Sequence, residues 1–459
     1  MKTGKMTQAS HCFKIFVLVL CACVGLSNGF LLAGDACSFN QKCTCTYNHI
    51  DCSYRYLTSV MNFTSYNQQA YYIGLNHNFI TSVPANAFSS LFSASSRRIL
   101  LRLDYNRIKT VDVDAFKGMP DNATVDVYLN DNNLQTIPSA LEKITGLSSL
   151  YIQNNPLTTI DVLSRIGPVL RLLSISLNNF QSWPLQLQNL TSVIHLTLDK
   201  IPFRNLSTEA FKSVDTLTSL TITNSELEHV PEAICALKDM QLFYFNKNKK
   251  LNHNNKVLVP CPGYALNYVS FVDMSENDLT VFPNVFDTFP SVKRLQLTGN
   301  KIHYIQPDVA PHNPLVERMY INDNGMKRIP GRLGQFSALK RLYLSNNDIS
   351  TMEDCDLAGL RFLEELDLNG NPLEYISPSA LKDAHLLNRV ELGHTNLHQI
   401  PDALSALAKL SYLNVTGSPI NCDCSMKFLG SIRPIDVQGT CSSSQTINEF
   451  VASSLGSCP

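Results

Sequence analysis

Residues 339–349 read Leu339-Lys-Arg-Leu342-Tyr-Leu344-Ser-Asn-Asn347-Asp-Ile349, and residues 363–373 read Leu363-Glu-Glu-Leu366-Asp-Leu368-Asn-Gly-Asn371-Pro-Leu373. Both follow one pattern, L-x-x-L-x-L-x-x-N-x-L, offset by 24 residues. Carried in both directions, this register puts its ninth position at Asn78, Asn106, Asn132, Asn155, Asn178, Ile201, Ser225, Asn248, Asn277, Asn300, Asn324, Asn347, Asn371, Thr395 and Ser418. Fifteen units result, spaced by 23 to 29 residues, with Asn at eleven of the fifteen ninth positions. Self-similarity at this period defines a repeat architecture and rules out a string of unrelated compact domains.

The alternation Leu342-x-Leu344 predicts a short strand, because strand side chains alternate between faces. One unit cannot bury these leucines alone, so units stack, neighbouring strands pair in parallel about 4.8 Å apart, and the leucines merge into one core. Each buried Leu or Ile contributes about 2 kcal/mol. The Asn leaves the strand into a turn, where its amide can donate to and accept from backbone groups that would otherwise be buried unpaired. Ile201 lacks that amide, which predicts a local irregularity there. A Pro and a later Phe follow several strands, as in Val83-Pro84 with Phe88 and Phe282-Pro283 with Phe286, while Val111 is followed by Phe116 alone. These predict irregular or short helical returns on the convex side. Two long units carry insertions expected to form loops, a Ser-rich one within 88–98 and an Asn/Lys-rich one within 246–256.

The repeats resemble the extracellular leucine-rich repeat family, whose units are about 24 residues long, over roughly residues 37–458. The resemblance implies an α/β solenoid: a horseshoe of about 15 repeats with a parallel concave sheet and disulfide caps at both ends. It divides the chain into an N-terminal cysteine cap over 30–66, repeats over 67–420 and a C-terminal cysteine cap over 421–459. Cys37, Cys43, Cys45 and Cys52 stand at the start, and Cys422, Cys424, Cys441 and Cys458 at the end. Four cysteines alone allow three connectivities; the resemblance implies Cys37 with Cys45, Cys43 with Cys52, Cys422 with Cys441 and Cys424 with Cys458. The five-residue gap after Cys37, with no Pro following it, departs from the usual cap spacing. A zinc site is disfavoured, because C-x-C lacks a His at ligand spacing. Cys235 and Cys261 fall on the convex side of consecutive units, where a bridge would staple the Asn/Lys-rich insertion. Cys355 is left odd and reads as a buried thiol, with an intermolecular bridge as the alternative.

Composition agrees with a folded extracellular protein. The 459 residues are 44% hydrophobic, with Lys+Arg 37 against Asp+Glu 38, which argues against a disordered tail, a collagen or a basic nucleic-acid binder. Lys2, Lys5 and Lys14 precede the apolar run Ile15–Leu26 and the small residues Ser27-Asn28-Gly29, so residues 1–29 read as a secretory signal peptide. A signal anchor is the alternative. Removing those three lysines and no acids leaves 34 against 38, a balance of −4. No later run approaches a membrane span and no apolar tail signals a lipid anchor, so the expected product is secreted and extracellular. Eleven cysteines would then enter an oxidising compartment, where disulfides are the default. Asn62, Asn122, Asn189, Asn205 and Asn414 head N-x-S/T sequons. No Ser-Gly dipeptide occurs, which argues against a glycosaminoglycan-bearing role.

No catalytic motif is present: no G-x-S-x-G, phosphate loop, H-E-x-x-H or G-x-G-x-x-G. His394 and His398 fall on a strand end and a turn, not one helical face. The reading is therefore a non-enzyme with no cofactor and no metal. Register instead identifies an exposed concave face. Position five carries tyrosines at Tyr128, Tyr151, Tyr244, Tyr320 and Tyr343, with Asp367 and Glu391 further on. These tyrosines serve either as partner contacts or as cross-strand stacking partners. Position three adds Arg294, Arg318, Arg341, Glu365 and Arg389. The three successive arginines suggest an anionic partner, although Glu317 and Glu364 at position two can neutralise them. Residues 290–345 hold nine Lys/Arg and three Asp/Glu, and residues 346–402 hold three and eleven. No sequon falls between 206 and 413, so the expected interface is the concave face of units 8–14.

These features point to a secreted scaffold that binds an extracellular protein or an anionic glycan. Two rivals stand. One is an accessory subunit of a secreted enzyme complex, by similarity in layout to the non-catalytic leucine-rich-repeat subunit of shrimp luciferase. The other is a soluble pattern-recognition protein, by resemblance to Toll-like receptor ectodomains. A homodimer is a further option that the polarised charge leaves open.

Overall fold

The structure is a computed structural model that describes residues 35–63, 70–92, 97–251, 261, 265–306, 309, 314–329, 333–431 and 435–453. The expected signal peptide and Cys458 lie outside the described residues.

The chain winds as a solenoid of about fifteen coils, and a 19-stranded sheet lines its inner side. At the start, strands Asp35–Cys37, Asn40–Thr46 and His49–Asp51 pair antiparallel. From His49–Asp51 paired with Tyr72–Gly74, through to Tyr412–Asn414 paired with Asp436–Gln438, every ladder pairing is parallel. Successive strands stay in register with the repeat: Arg294 opposes Arg318, Arg318 opposes Arg341, and Arg341 opposes Glu365. The repeat leucines lie inward, as with Leu339, Leu342 and Leu344, all fully buried. On the return side Phe63, Phe88 and Phe116 stack at centroid separations of 6.1 and 6.0 Å. The returns are short, such as the 3-10 turns Ser139–Lys143, Leu185–Asn189, Glu232–Ala236 and Asp402–Ala406.

The ninth-position asparagines build an internal ladder. Asn106 accepts from the Ile80 N–H through Oδ1 and donates from Nδ2 to the carbonyls of Leu75 and Leu103. Asn347 repeats this with Met326, Ile321 and Leu344. Each amide thus satisfies backbone groups of two coils.

The position before it carries a signal that register reading did not use. His77, Tyr105, Asp131, Asn154, Lys200, Asn224, Lys247, Glu276, Asp323, Asn346 and His394 all have φ between 52° and 59°. This left-handed conformation turns the chain out of each strand, at a cost of about 1–2 kcal/mol for a residue with a Cβ. Gly299, Gly370 and Gly417 take the same place at little cost.

The irregularity expected at Ile201 falls one coil earlier. Lys200 keeps the left-handed turn, and Ile201 is simply buried. In the preceding coil Leu177 occupies the eighth position, and it is fully buried instead of turning left-handed. Asn178 is therefore turned out to solvent, where its Nδ2 donates to Asn179 Oδ1. Burial of a leucine outweighs the amide network there.

Disulfides close both ends. Cys37 bonds Cys45, Cys43 bonds Cys52, and Cys422 bonds Cys441. Cys424 is also disulfide-bonded. Cys235 bonds Cys261 across the long insertion, whose residues 252–260 lie outside those described. Cys355 is free and exposed, which corrects the expectation of a buried thiol. It sits beside exposed Asp354 and buried Asp356, at an open depression that Arg328, Ile329 and Ser377 of the adjacent coils also line.

Candidate partner-binding face

Register sets the site. Because Leu295, Met319, Leu342, Leu366 and Val390 point inward, the residues on either side of each must point into the concavity. One row therefore runs Phe271, Arg294, Arg318, Arg341, Glu365, Arg389 and Tyr412, and the next runs Tyr244, Asp273, Gln296, Tyr320, Tyr343, Asp367, Glu391 and Asn414.

These side chains are knitted together. Tyr320 and Tyr343 stack at 4.5 Å with planes 7° apart, and Tyr244 leans on Phe271 at 5.0 Å. The Arg294 guanidinium lies 5.1 Å from the Phe271 ring centre and 4.9 Å from that of Tyr320. The concave tyrosines are therefore half-buried, not free-standing, and stacking and contact area coexist.

The arginine row divides into two parts. Glu365 reaches both Arg341 Nε, at 3.4 Å, and Arg389 Nε, at 3.5 Å, and accepts from the Tyr343 hydroxyl at 2.9 Å. Arg389 also pairs with Glu391 at 2.5 Å and covers the Tyr412 ring at 3.8 Å. Lys340 pairs with Glu317 beside the row. Arg341 and Arg389 are thus neutralised inside the face. Among the described residues Lys293, Arg294 and Arg318 form no ion pair, and Arg294 Nε is buried without a hydrogen-bond partner.

The far end of the face is acidic. Glu391 accepts from Asn369 Nδ2 at 3.3 Å and from Asn414 Nδ2 at 2.8 Å. Burial, with added repulsion from Glu391 and Glu365, raises the Asp367 carboxyl to about 6, although the Asn369 N–H donates to it. Burial likewise raises Asp273, partly offset by the Ser275 hydroxyl and N–H that donate to it.

Asp367 gives a pH-linked prediction. An acid whose folded pKa exceeds its unfolded value, about 3.9, weakens folding as pH rises from there, and the full penalty holds above about 6. Asp367→Asn keeps the Oδ1 acceptor and is expected to stabilise the protein by about 1 kcal/mol at pH 7.5, after discounting for partial solvation. At pH 3.5 the gain is expected to vanish. Denaturant unfolding at both values checks this, and an equal gain at both would show that ionisation is not the cause.

Phe271 and Tyr412 escaped the sequence reading because position three was read for charge alone. A second aromatic cluster lies at the other end of the same face: Tyr128 stacks on Tyr151 at 4.2 Å, beneath Arg102, which forms a two-bond pair with buried Asp104. Of the sequons, Asn62, Asn122 and Asn205 are exposed, and Asn189 donates to the Gln186 carbonyl. Asn414 alone stands on a concave strand of the described sheet.

Among the described residues no helix is long and apolar enough to cross a membrane. The repeated strand, the asparagine ladder and the disulfide-closed ends together define a leucine-rich repeat solenoid. Leucine rich repeat sequences match over residues 100–157, 314–373 and 363–420. These matched segments are leucine-rich repeats, and proteins similar to the chain in sequence include podocan-type and keratocan relatives. Human podocan-like protein 1 is 23% identical over 68% of this chain and 52% of its own length. Mouse podocan is 24% identical over 79% of this chain and 59% of its own, and zebrafish keratocan is 25% identical over 61% and 77%. The chain thus spans between half and three-fifths of the podocan relatives it matches. Among solved structures, a leucine-rich repeat protein of Leptospira interrogans superposes with a TM-score of 0.59 at 20% identity, covering 84% of this chain and 94% of that one. Toll in the Drosophila Toll–Spätzle complex superposes at 0.56 with 13% identity, over 80% and 61%. At these identities the structural likenesses establish the fold.

Proposed function

We propose that this chain is a secreted, non-catalytic binding scaffold that takes an extracellular protein or anionic glycan on the concave face of units 8–14. The observation that carries the reading is the trio Lys293, Arg294 and Arg318: cations that form no ion pair among the described residues, Arg294 lying over the rings of Phe271 and Tyr320 and sensed by the buried Asp273 carboxylate. Unpaired charge next to stiff aromatic area is the composition of binding hot spots, where Tyr and Arg are enriched. The disulfide caps suit an oxidising, extracellular setting. A glycan on Asn414 would bound the face at its acidic end.

Toll is seen with Spätzle in the complex named above, which favours a protein ligand over a catalytic role. The enzyme-accessory and pattern-recognition readings both use the same face. The double change Arg318→Glu/Arg341→Glu is expected to weaken binding of a co-purifying partner at least tenfold, while Lys327→Glu, on a turn outside the concave rows, leaves it unchanged. Titration by surface plasmon resonance checks this, and the reverse ranking would sink the concave reading.

A further inference from the structure

Resting on the concave reading, we infer that the ligand of this face is an extended polypeptide segment of bipolar charge, its acidic part over Lys293, Arg294 and Arg318 and its basic part over Glu364, Asp367 and Glu391. A uniformly anionic glycan suits only one half of such a face.

The argument begins with what each end leaves unsatisfied. At one end three cations form no ion pair among the described residues: Arg294 is sensed by the buried Asp273 carboxylate, yet its Nε is buried with no acceptor. Its guanidinium is fixed between Phe271 and Tyr320, so little side-chain entropy is lost when an acid docks on it. At the other end the carboxylates outnumber the cations. Glu365 is shared between Arg341 and Arg389, Glu391 takes Arg389 a second time, and Asp367 and Glu364 have no cation partner among the described residues. Asp367 and Glu391 sit on adjacent strands, and burial, with added repulsion from Glu391, raises the Asp367 carboxyl. A cation from outside would relieve it.

Between the two ends lies a closed centre. Arg341, Tyr343, Glu365 and Arg389 satisfy one another. From the Arg318 strand to the Glu391 strand is three ladder steps, about 14 Å, which an extended chain spans in roughly four residues. A polysulfated chain laid along this distance would set its anions against Asp367 and Glu391, and like-charge juxtaposition at an interface is strongly unfavourable. A polypeptide can reverse its charge within four residues. The stacked Tyr320 and Tyr343 rings offer the intervening residue an apolar wall.

The probes are two synthetic heptapeptides of identical composition, Glu-Glu-Gly-Tyr-Gly-Lys-Lys and Glu-Lys-Gly-Tyr-Gly-Lys-Glu, and a heparin hexasaccharide. Each is fluorescently labelled and titrated by anisotropy into the full chain in about 50 mM salt, where screening is moderate. The block peptide is expected to bind at least fivefold more tightly than its rearranged partner. Lys293→Glu/Arg318→Glu, both at exposed positions, is expected to abolish that preference, with thermal unfolding confirming that the variant folds. Equal binding of the two peptides would overturn the bipolar segment. Tighter binding of heparin, lost in the same variant, would overturn it too while leaving the concave reading intact. If none of the three probes responds to the double change, the concave reading fails as well.

Discussion

Replacing Asn277 with alanine is expected to destabilise the solenoid by about 3–5 kcal/mol, because its amide is fully buried and serves three backbone groups. Oδ1 accepts from the Asn248 N–H at 2.8 Å, and Nδ2 donates to the carbonyls of Phe245, at 2.6 Å, and Met274, at 2.8 Å. Met274 keeps a second donor in Asn300, so the Asn248 N–H and the Phe245 carbonyl carry most of the loss. The same change at Asn178 is expected to stay within about 0.5 kcal/mol, since that side chain is exposed and donates to the exposed Asn179 side chain. Denaturant unfolding of the two variants side by side tests the ladder. Comparable losses would show that the asparagine matters through turn propensity and not through its buried bonds.

The second large effect is expected from opening the Cys235–Cys261 bridge. Its partners are 26 residues apart, and loop-closure entropy assigns such a cross-link about 3.5 kcal/mol. Cys235 is itself buried in the Glu232–Ala236 turn and packs in the core. Because each coil touches mainly its neighbours, the loss should concentrate in the coils around residues 232–273 instead of spreading along the solenoid. Hydrogen exchange on Cys235→Ser/Cys261→Ser is expected to show faster amides there and unchanged amides near residues 98–128. Uniform acceleration would mean that the chain unfolds as one unit.

Much of this architecture was legible because the repeat is both a periodicity and a chemical code. The leucines announce the strand and its buried face, and the ninth-position Asn announces the turn, so register alone orders Arg294, Arg318, Arg341, Glu365 and Arg389 in one row. What register cannot show is which neighbours pair. Arg318 and Arg341 look alike in sequence, yet only Arg341 has Glu365 within reach. At Leu177 the cause is different: Asn178 fits the repeat pattern, but the leucine before it decides which side chain turns inward. The general habit of thiols suggests a buried Cys355, but the side chain opens onto a surface depression between coils.

The central claim is that a partner sits on the concave rows. Hydroxyl-radical footprinting of the mature protein, alone and with a stoichiometric partner isolated from its source fluid, tests this residue by residue. Protection is expected at Tyr244, Phe271, Tyr320 and Tyr343, with Tyr268, Tyr304 and Tyr375, exposed elsewhere on the solenoid, unchanged. Protection of Tyr268, Tyr304 or Tyr375 with the concave rings still reactive would contradict the account.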